Sequence, residues 1–176
     1  MKSPRVLVAG VGNVFLGDDA FGVEVARELM KREWPEGVRV ADFGIRGLDL
    51  AYALLDGYEA AIIVDATPRG EPPGTLCVLE VDPPAGEPGE SELAAGGHNL
   101  DPVRVFRLAA AMGSPVRRLF VVGCEPGPAA DAEEMADGLS EPVRAAVGGA
   151  VRLVESLVGR LFSEGRTVTE GESCPR

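Results

Sequence analysis

Val6-Leu7-Val8-Ala9-Gly10 and Ala60-Ala61-Ile62-Ile63-Val64-Asp65 are the two stretches on which the fold turns. Each is a short apolar run, too short for a buried helix, closed by a glycine or an aspartate. Apolar side chains at every position, rather than at alternate ones, belong to a strand covered on both faces, as in a parallel sheet. Between them the pattern changes period. From Asp19 to Arg32, Phe21, Val25 and Leu29 fall four apart, with Val23, Ala26 and Met30 beside them, which makes one broad apolar helix face. Val38 to Phe43 reads as a second strand and Gly47 to Leu55 as a second helix. Strand, helix, strand, helix, strand in succession predicts a parallel sheet with helices on both faces, an α/β/α architecture.

The rest of the chain extends this pattern. Thr75 to Val81 reads as a strand reached through the Pro68–Gly74 turn, a connection too short for a helical crossover, so this strand is expected to run antiparallel. Asp82 to Gly97 is rich in Pro, Gly and Glu and reads as loop. Pro102 to Met112 reads as a helix, with Asp101 as its N-cap and proline at its first position. Leu119 to Gly123 is a fifth strand, and Glu125 to Gly138 an acidic loop. Pro142 to Phe162 is the last helix, with apolar residues stepping by three and four. The expectation is therefore one three-layer α/β/α domain over residues 1–163, a five-stranded, mostly parallel sheet with one antiparallel strand, and a loose polar tail over 164–176, dispensable for function.

Composition narrows the function. The chain has 176 residues, 45% hydrophobic and 26% charged, as a folded domain has. A net charge of −11 repels phosphate backbones and anionic lipid, so neither nucleic acid nor a membrane surface is an expected partner. No apolar run is long enough to span a bilayer, and the one at Val6 is too short for a signal-peptide core, which predicts a cytoplasmic protein. Cys77, Cys124 and Cys174 are dispersed and odd in number, which argues against a disulfide framework or structural zinc.

In an open α/β sheet, ligands bind outside the carboxyl ends of the strands. Asp18 and Asp19 follow the first strand, Asp42 ends the second and Asp65 ends the third. An aspartate at a helix start is also an ordinary cap, and Asp65 has a simple alternative in a loop amide. His98, the sole histidine, follows Gly96-Gly97. It is either a solvated loop residue or a ligand brought to the rim by its glycines. Two aspartates and one imidazole form a mixed O/N donor set suited to borderline divalent ions such as Ni, Zn, Fe or Mn. Cys124, at the end of the fifth strand, reads as buried structure or, with His98, as a nucleophile. Gly10-Val11-Gly12 resembles the start of a dinucleotide fingerprint, but Phe15 stands where the third small residue is needed and the helix starts too late.

The stretch Gly10-Val11-Gly12-Asn13-Val14-Phe15-Leu16-Gly17-Asp18-Asp19-Ala20-Phe21-Gly22 resembles the opening signature of the hydrogenase maturation endopeptidases, which trim the large subunit of nickel–iron hydrogenases. Asp42-Phe43-Gly44-Ile45-Arg46-Gly47 is similar to the family's second block, D-G-G-T-x-G, with Phe43 and Ile45 in place of the usual Gly and Thr. Ile63-Val64-Asp65-Ala66 resembles the third block and Gly97-His98-Asn99-Leu100 the fourth. Gly123-Cys124-Glu125-Pro126 and Gly138-Leu139-Ser140 with Val143 resemble the closing ones, so the likeness runs from about Val6 to Phe162.

The resemblance implies an endopeptidase that removes the C-terminal extension of a hydrogenase large-subunit precursor once nickel has been inserted. It implies Asp19, Asp65 and His98 as both metal ligands and catalytic residues, with nickel recognised in the substrate and Cd or Zn able to take its place. It implies Asp42, Gly44 and Gly47 as substrate-binding residues, the nickel-loaded precursor as partner, and a monomer. Two routes to hydrolysis stay open: polarisation of the carbonyl by the metal, or activation of water by a carboxylate. The alternatives are a non-catalytic assembly chaperone that holds the precursor and, from the partial glycine motif, a nucleotide-binding module.

Overall fold

The computed structural model describes residues 4–82, 102–128 and 138–167, with side chains of the last helix to Glu164. His98, the cap Asp101, and most of the Asp82–Gly97 and Glu125–Gly138 loops lie outside the described residues, as does the tail beyond Thr167. Five strands form one sheet: β1 (Val6–Val11), β2 (Val38–Gly44), β3 (Ala60–Ala66), β4 (Leu76–Val81) and β5 (Arg118–Cys124). Their order across the sheet is β2-β1-β3-β5-β4. The pairs β1–β2, β1–β3 and β3–β5 are parallel, and β4 runs antiparallel to β5 at the edge. The short Pro68–Gly74 connection leaves β4 no other direction.

Among the described residues four helices cover the sheet: α1 (Phe21–Met30), α2 (Gly47–Ala53), α3 (Pro102–Ala111) and α4 (Glu141–Thr167). The pleat sorts the strand side chains between two cores. Val6 and Val8, Ile62 and Val64, and Phe120 and Val122 face α1 and α4, where Phe21, Val25, Val143 and Val154 meet them. Leu7, Ala9 and Val11, with Ala61, Ile63 and Leu119, face α2 and α3, where Leu50, Leu54 and Phe106 fill the space. All six residues of β1 are buried, which explains why its sequence is apolar without alternation.

Most element ends fall within a residue or two of expectation, and two of the differences bear on the site and the tail. The first helix starts at Phe21, because Gly17–Ala20 forms a separate 3-10 turn ahead of it. The last helix continues through Thr167, so the tail expected over 164–176 starts with helix. An ion-pair network holds that extra turn. Arg118 at the start of β5 donates to Glu80 of β4 at 2.9 Å and to Glu164 of α4, and Arg160 lies 3.8 Å from Glu164.

Candidate functional site

The chain runs from β1 to β2 on one side and then returns past β1 to β3 on the other. The carboxyl ends of β1 and β3 therefore flank a topological switch point, the crevice where open α/β sheets hold ligands. The start of α1 is seated there. A Cβ on Gly22 would fall 2.0 Å from the Val64 carbonyl oxygen and 2.3 Å from that of Val11, so only glycine lets α1 rest on both strand ends. Gly10 and Gly12 serve the same packing. A Cβ on Gly10 would come within 2.2 Å of the Gly22 oxygen, and one on Gly12, whose φ is +132°, within 1.8 Å of the Asp19 oxygen. These glycines are filled by the chain's own backbone, which removes the phosphate cradle that the partial dinucleotide motif suggested.

This seating carries Asp19, three residues before Gly22, to the rim where Asp65 follows Val64. Asp19 is half-buried, and its Oδ2 accepts from the Asn13 amide at 2.6 Å. Asp65 is half-buried, pairs in register with Gly123 of β5, and has the parity of Ala61 and Ile63 along β3. Among the described residues no three His, Cys, Asp or Glu side chains are grouped closely enough to hold a metal ion. The third donor implied by the sequence, His98, lies outside them.

Asp42 lies next to Gly10 across the β1–β2 pairing, on the far side of β1 from β3. Its Oδ2 sits 3.7 Å from Arg27 Nε, and its backbone oxygen accepts from Arg46. Gly44, at φ +53°, turns the chain out of β2, and its oxygen accepts from the Gly12 amide at 3.0 Å. Gly47 opens α2. The second block thus borders the loop that leads to Asp19.

Asp18 does not cap its own helix, since neither the 3-10 turn nor α1 has a side-chain cap bond. It reaches across the fold instead. Its carboxylate accepts from the amides of Gly127 at 2.8 Å and Ser140 at 2.7 Å, and from the Ser140 hydroxyl at 2.8 Å. Ser140 immediately precedes α4, so a carboxylate at that helix N-terminus also meets its positive dipole end. Glu125, buried, is a second anchor that periodicity could not reveal. It accepts from the amides of Arg69 at 2.6 Å and Gly70 at 3.2 Å, while its backbone closes onto Gly74 and Thr75. The signal in the sequence is Glu125-Pro126 in one closing block and Ser140 in the other. Cys124 is fully buried, and burial, then the nearby Asp18 charge, push its thiol up to about 11. A thiol held protonated at neutral pH is no nucleophile, and Cys124 belongs to the core packed against α4.

Known proteins resemble this chain in sequence and fold. A sequence profile of the hydrogenase maturation protease family matches residues 23–157. The hydrogenase expression/formation protein HupD of Rhizobium leguminosarum bv. viciae is 32% identical over 98% of this chain and 83% of its own length. The HupM protein of Azotobacter chroococcum is 34% identical, and the match covers 82% of this chain and 66% of that protein. Among solved structures, the hydrogenase maturating endopeptidase HybD from E. coli aligns with a TM-score of 0.67 at 26% identity, covering 89% of this chain and 93% of that one. The hydrogenase 2 maturation peptidase from a Thaumarchaeota archaeon aligns at 0.65 and 32% identity, covering 88% and 98%. No described helix is long and apolar enough to cross a membrane. By its profile match, its identity to HupD over nearly its whole length and the fold it shares with HybD, this chain belongs to the hydrogenase maturation protease family.

Proposed function

We propose that this protease removes the C-terminal extension of a nickel–iron hydrogenase large-subunit precursor after nickel insertion, and that Asp19, Asp65 and His98 recognise the nickel in the substrate. The observation that supports the reading is the seating of Gly22 against the carbonyls of Val11 and Val64, at the ends of β1 and β3, with Asp19 three residues before it and Asp65 next after Val64. Two half-buried carboxylates there, joined by one imidazole, suit a borderline divalent ion and leave its remaining positions to the substrate's own ligands. The Asn13 amide fixes one Asp19 oxygen, and among the described residues the other accepts no hydrogen bond.

Contact with the nickel ties cleavage to metal content and places the adjacent peptide bond at the rim. Hydrolysis then adds water across that bond: the acyl carbon gains hydroxyl, and the leaving nitrogen gains the proton. Asp42, Gly44 and Gly47, on the bordering loop, hold the flanking peptide. One copy of the chain suffices, and the reaction is placed in the cytoplasm. The test incubates the protein with nickel-loaded and nickel-free precursor and reads the precursor's C-terminus by mass. The reading requires truncation of the loaded form alone. Equal truncation of both would remove nickel recognition, and truncation of neither would remove the proposed substrate.

A further inference from the structure

From the exposed apolar side chains around this rim, we infer that the loops after β1 and β2 form a docking lip for an extended, uncharged, apolar segment of the substrate polypeptide beside the scissile bond. The inference rests on the protease reading above and deepens it. Phe15 is 63% exposed, Leu16 59%, Ile45 60% and Leu48 63%, with Val14 beside them. Single exposed apolar residues are ordinary on any surface, whereas a cluster beside a crevice marks an interaction site. These residues belong to two neighbouring segments, because the Gly12 amide bonds the Gly44 oxygen and Val11 pairs with Gly44.

Three observations select the occupant. First, Val14, Phe15 and Leu16 lie three to five positions ahead of Asp19, so a polypeptide placed for cleavage there lies beside the lip. Second, the exposed side chains of the lip are apolar, bordered by Asp18, Asp42 and Asp49 in a chain of net charge −11. Residues 10–17 hold no ionisable side chain, and Arg46, the sole ionisable residue in 43–48, donates to the oxygens of Phe43 and Asp42. An uncharged face in an acidic chain suits an apolar segment, and a second copy of the same chain would bring its own −11 against it. Third, the loop backbones bond internally. Phe15 and Leu16 donate to Asn13, Arg46 to Phe43, and Gly47 to Ile45. The lip therefore offers side chains rather than a free strand edge, and recognition runs through apolar contact.

The test uses Phe15→Ser, Ile45→Ser and the double variant of the full chain, with nickel-loaded large-subunit precursor as the probe. A companion precursor has the apolar residues flanking its cleaved bond changed to Asp. Because both positions are exposed, melting temperature should match the parent. The docking lip requires each single variant to raise KM about ten-fold, with kcat within about two-fold of the parent, since uniform binding is what is lost. The Asp-bearing precursor should reproduce that rise with the parent protein. A parent that cleaves normally alongside variants of unchanged KM would overturn the lip and leave the protease reading intact. A parent that neither binds nor cleaves the precursor would overturn both. A parent that sediments as a dimer, and as a monomer once Phe15 is changed, would make a second copy the occupant and overturn the inference.

Discussion

Asp18→Ala removes one side chain and severs three contacts that join residues more than a hundred positions apart. The carboxylate accepts from Gly127 N, Ser140 N and Ser140 Oγ at 2.7–2.8 Å, and all three contacts are partly buried. Hydrogen bonds to charged groups contribute about 1.5–3 kcal/mol each. The three share one carboxylate and water can reach the freed amides, so they do not add in full. The expected loss is about 2–4 kcal/mol, a large part of the roughly 5–15 kcal/mol a domain has. For a chain of this size each kcal/mol moves Tm by about 2–4 °C, so the variant should melt about 4–16 °C below the parent.

Thermal and urea unfolding followed by far-ultraviolet circular dichroism measure this. Asp18→Asn keeps the shape and one acceptor oxygen and should fall between. A double-mutant cycle with Ser140→Ala isolates the direct contact, with an expected coupling of about 1 kcal/mol. If Asp18→Ala melts within about 1 °C of the parent and shows no coupling to Ser140, the anchoring role of Asp18 is wrong.

Gly22→Ala should destabilise by about 1–3 kcal/mol or more, because its Cβ meets two strand carbonyls, whereas an unhindered Gly→Ala in a helix gains about 1 kcal/mol; the sign, read by urea unfolding, decides. Cys124 has a thiol pKa raised from 9.0 to about 11, so the unfolded chain releases that proton first, and stability present below pH 9 should decline as pH rises toward 11. Cys124→Ala should flatten that decline, and native Cys124 should resist alkylation at pH 7.5 on a mass-spectrometric count. Glu164→Gln should cost about 1 kcal/mol or less, as exposed ion pairs do, and a larger drop in urea midpoint would mean that the Arg118 network is worth more than its exposure implies.

β1, β3 and β5 were legible because buried parallel strands are apolar at nearly every position, and the direction of β4 because its short connection forbids a crossover. The seat of α1 was legible only as glycines. Gly10, Gly12 and Gly22 look like a nucleotide motif until the packing shows that backbone from Asp19, Val64 and Val11 occupies the space they leave. Asp18 read as a local cap because caps are near in sequence, while its partners Gly127 and Ser140 are not. Glu125 escaped for the same reason, its partners being the Arg69 and Gly70 amides. The last helix outran its apolar stripe into a polar stretch where Glu164 makes exposed ion pairs with Arg118 and Arg160, which hydrophobic periodicity does not record. The rule that sites lie at strand ends pointed to Asp18, Asp19, Asp42 and Asp65 alike and left His98 open between a solvated loop residue and a ligand; the resemblance is what singled out Asp19, Asp65 and His98.

The central claim is that Asp19, Asp65 and His98 read nickel in a precursor before it is cut. The most direct test compares the parent with His98→Ala on nickel-loaded precursor, reading Tm and the rate of C-terminal truncation by mass. No other imidazole can replace that nitrogen, so the variant should melt like the parent and cut at least about 100-fold more slowly, since even indirect changes around a metal cost about 10–100-fold. A variant that melts like the parent and still truncates the loaded precursor at the parent rate would contradict the claim.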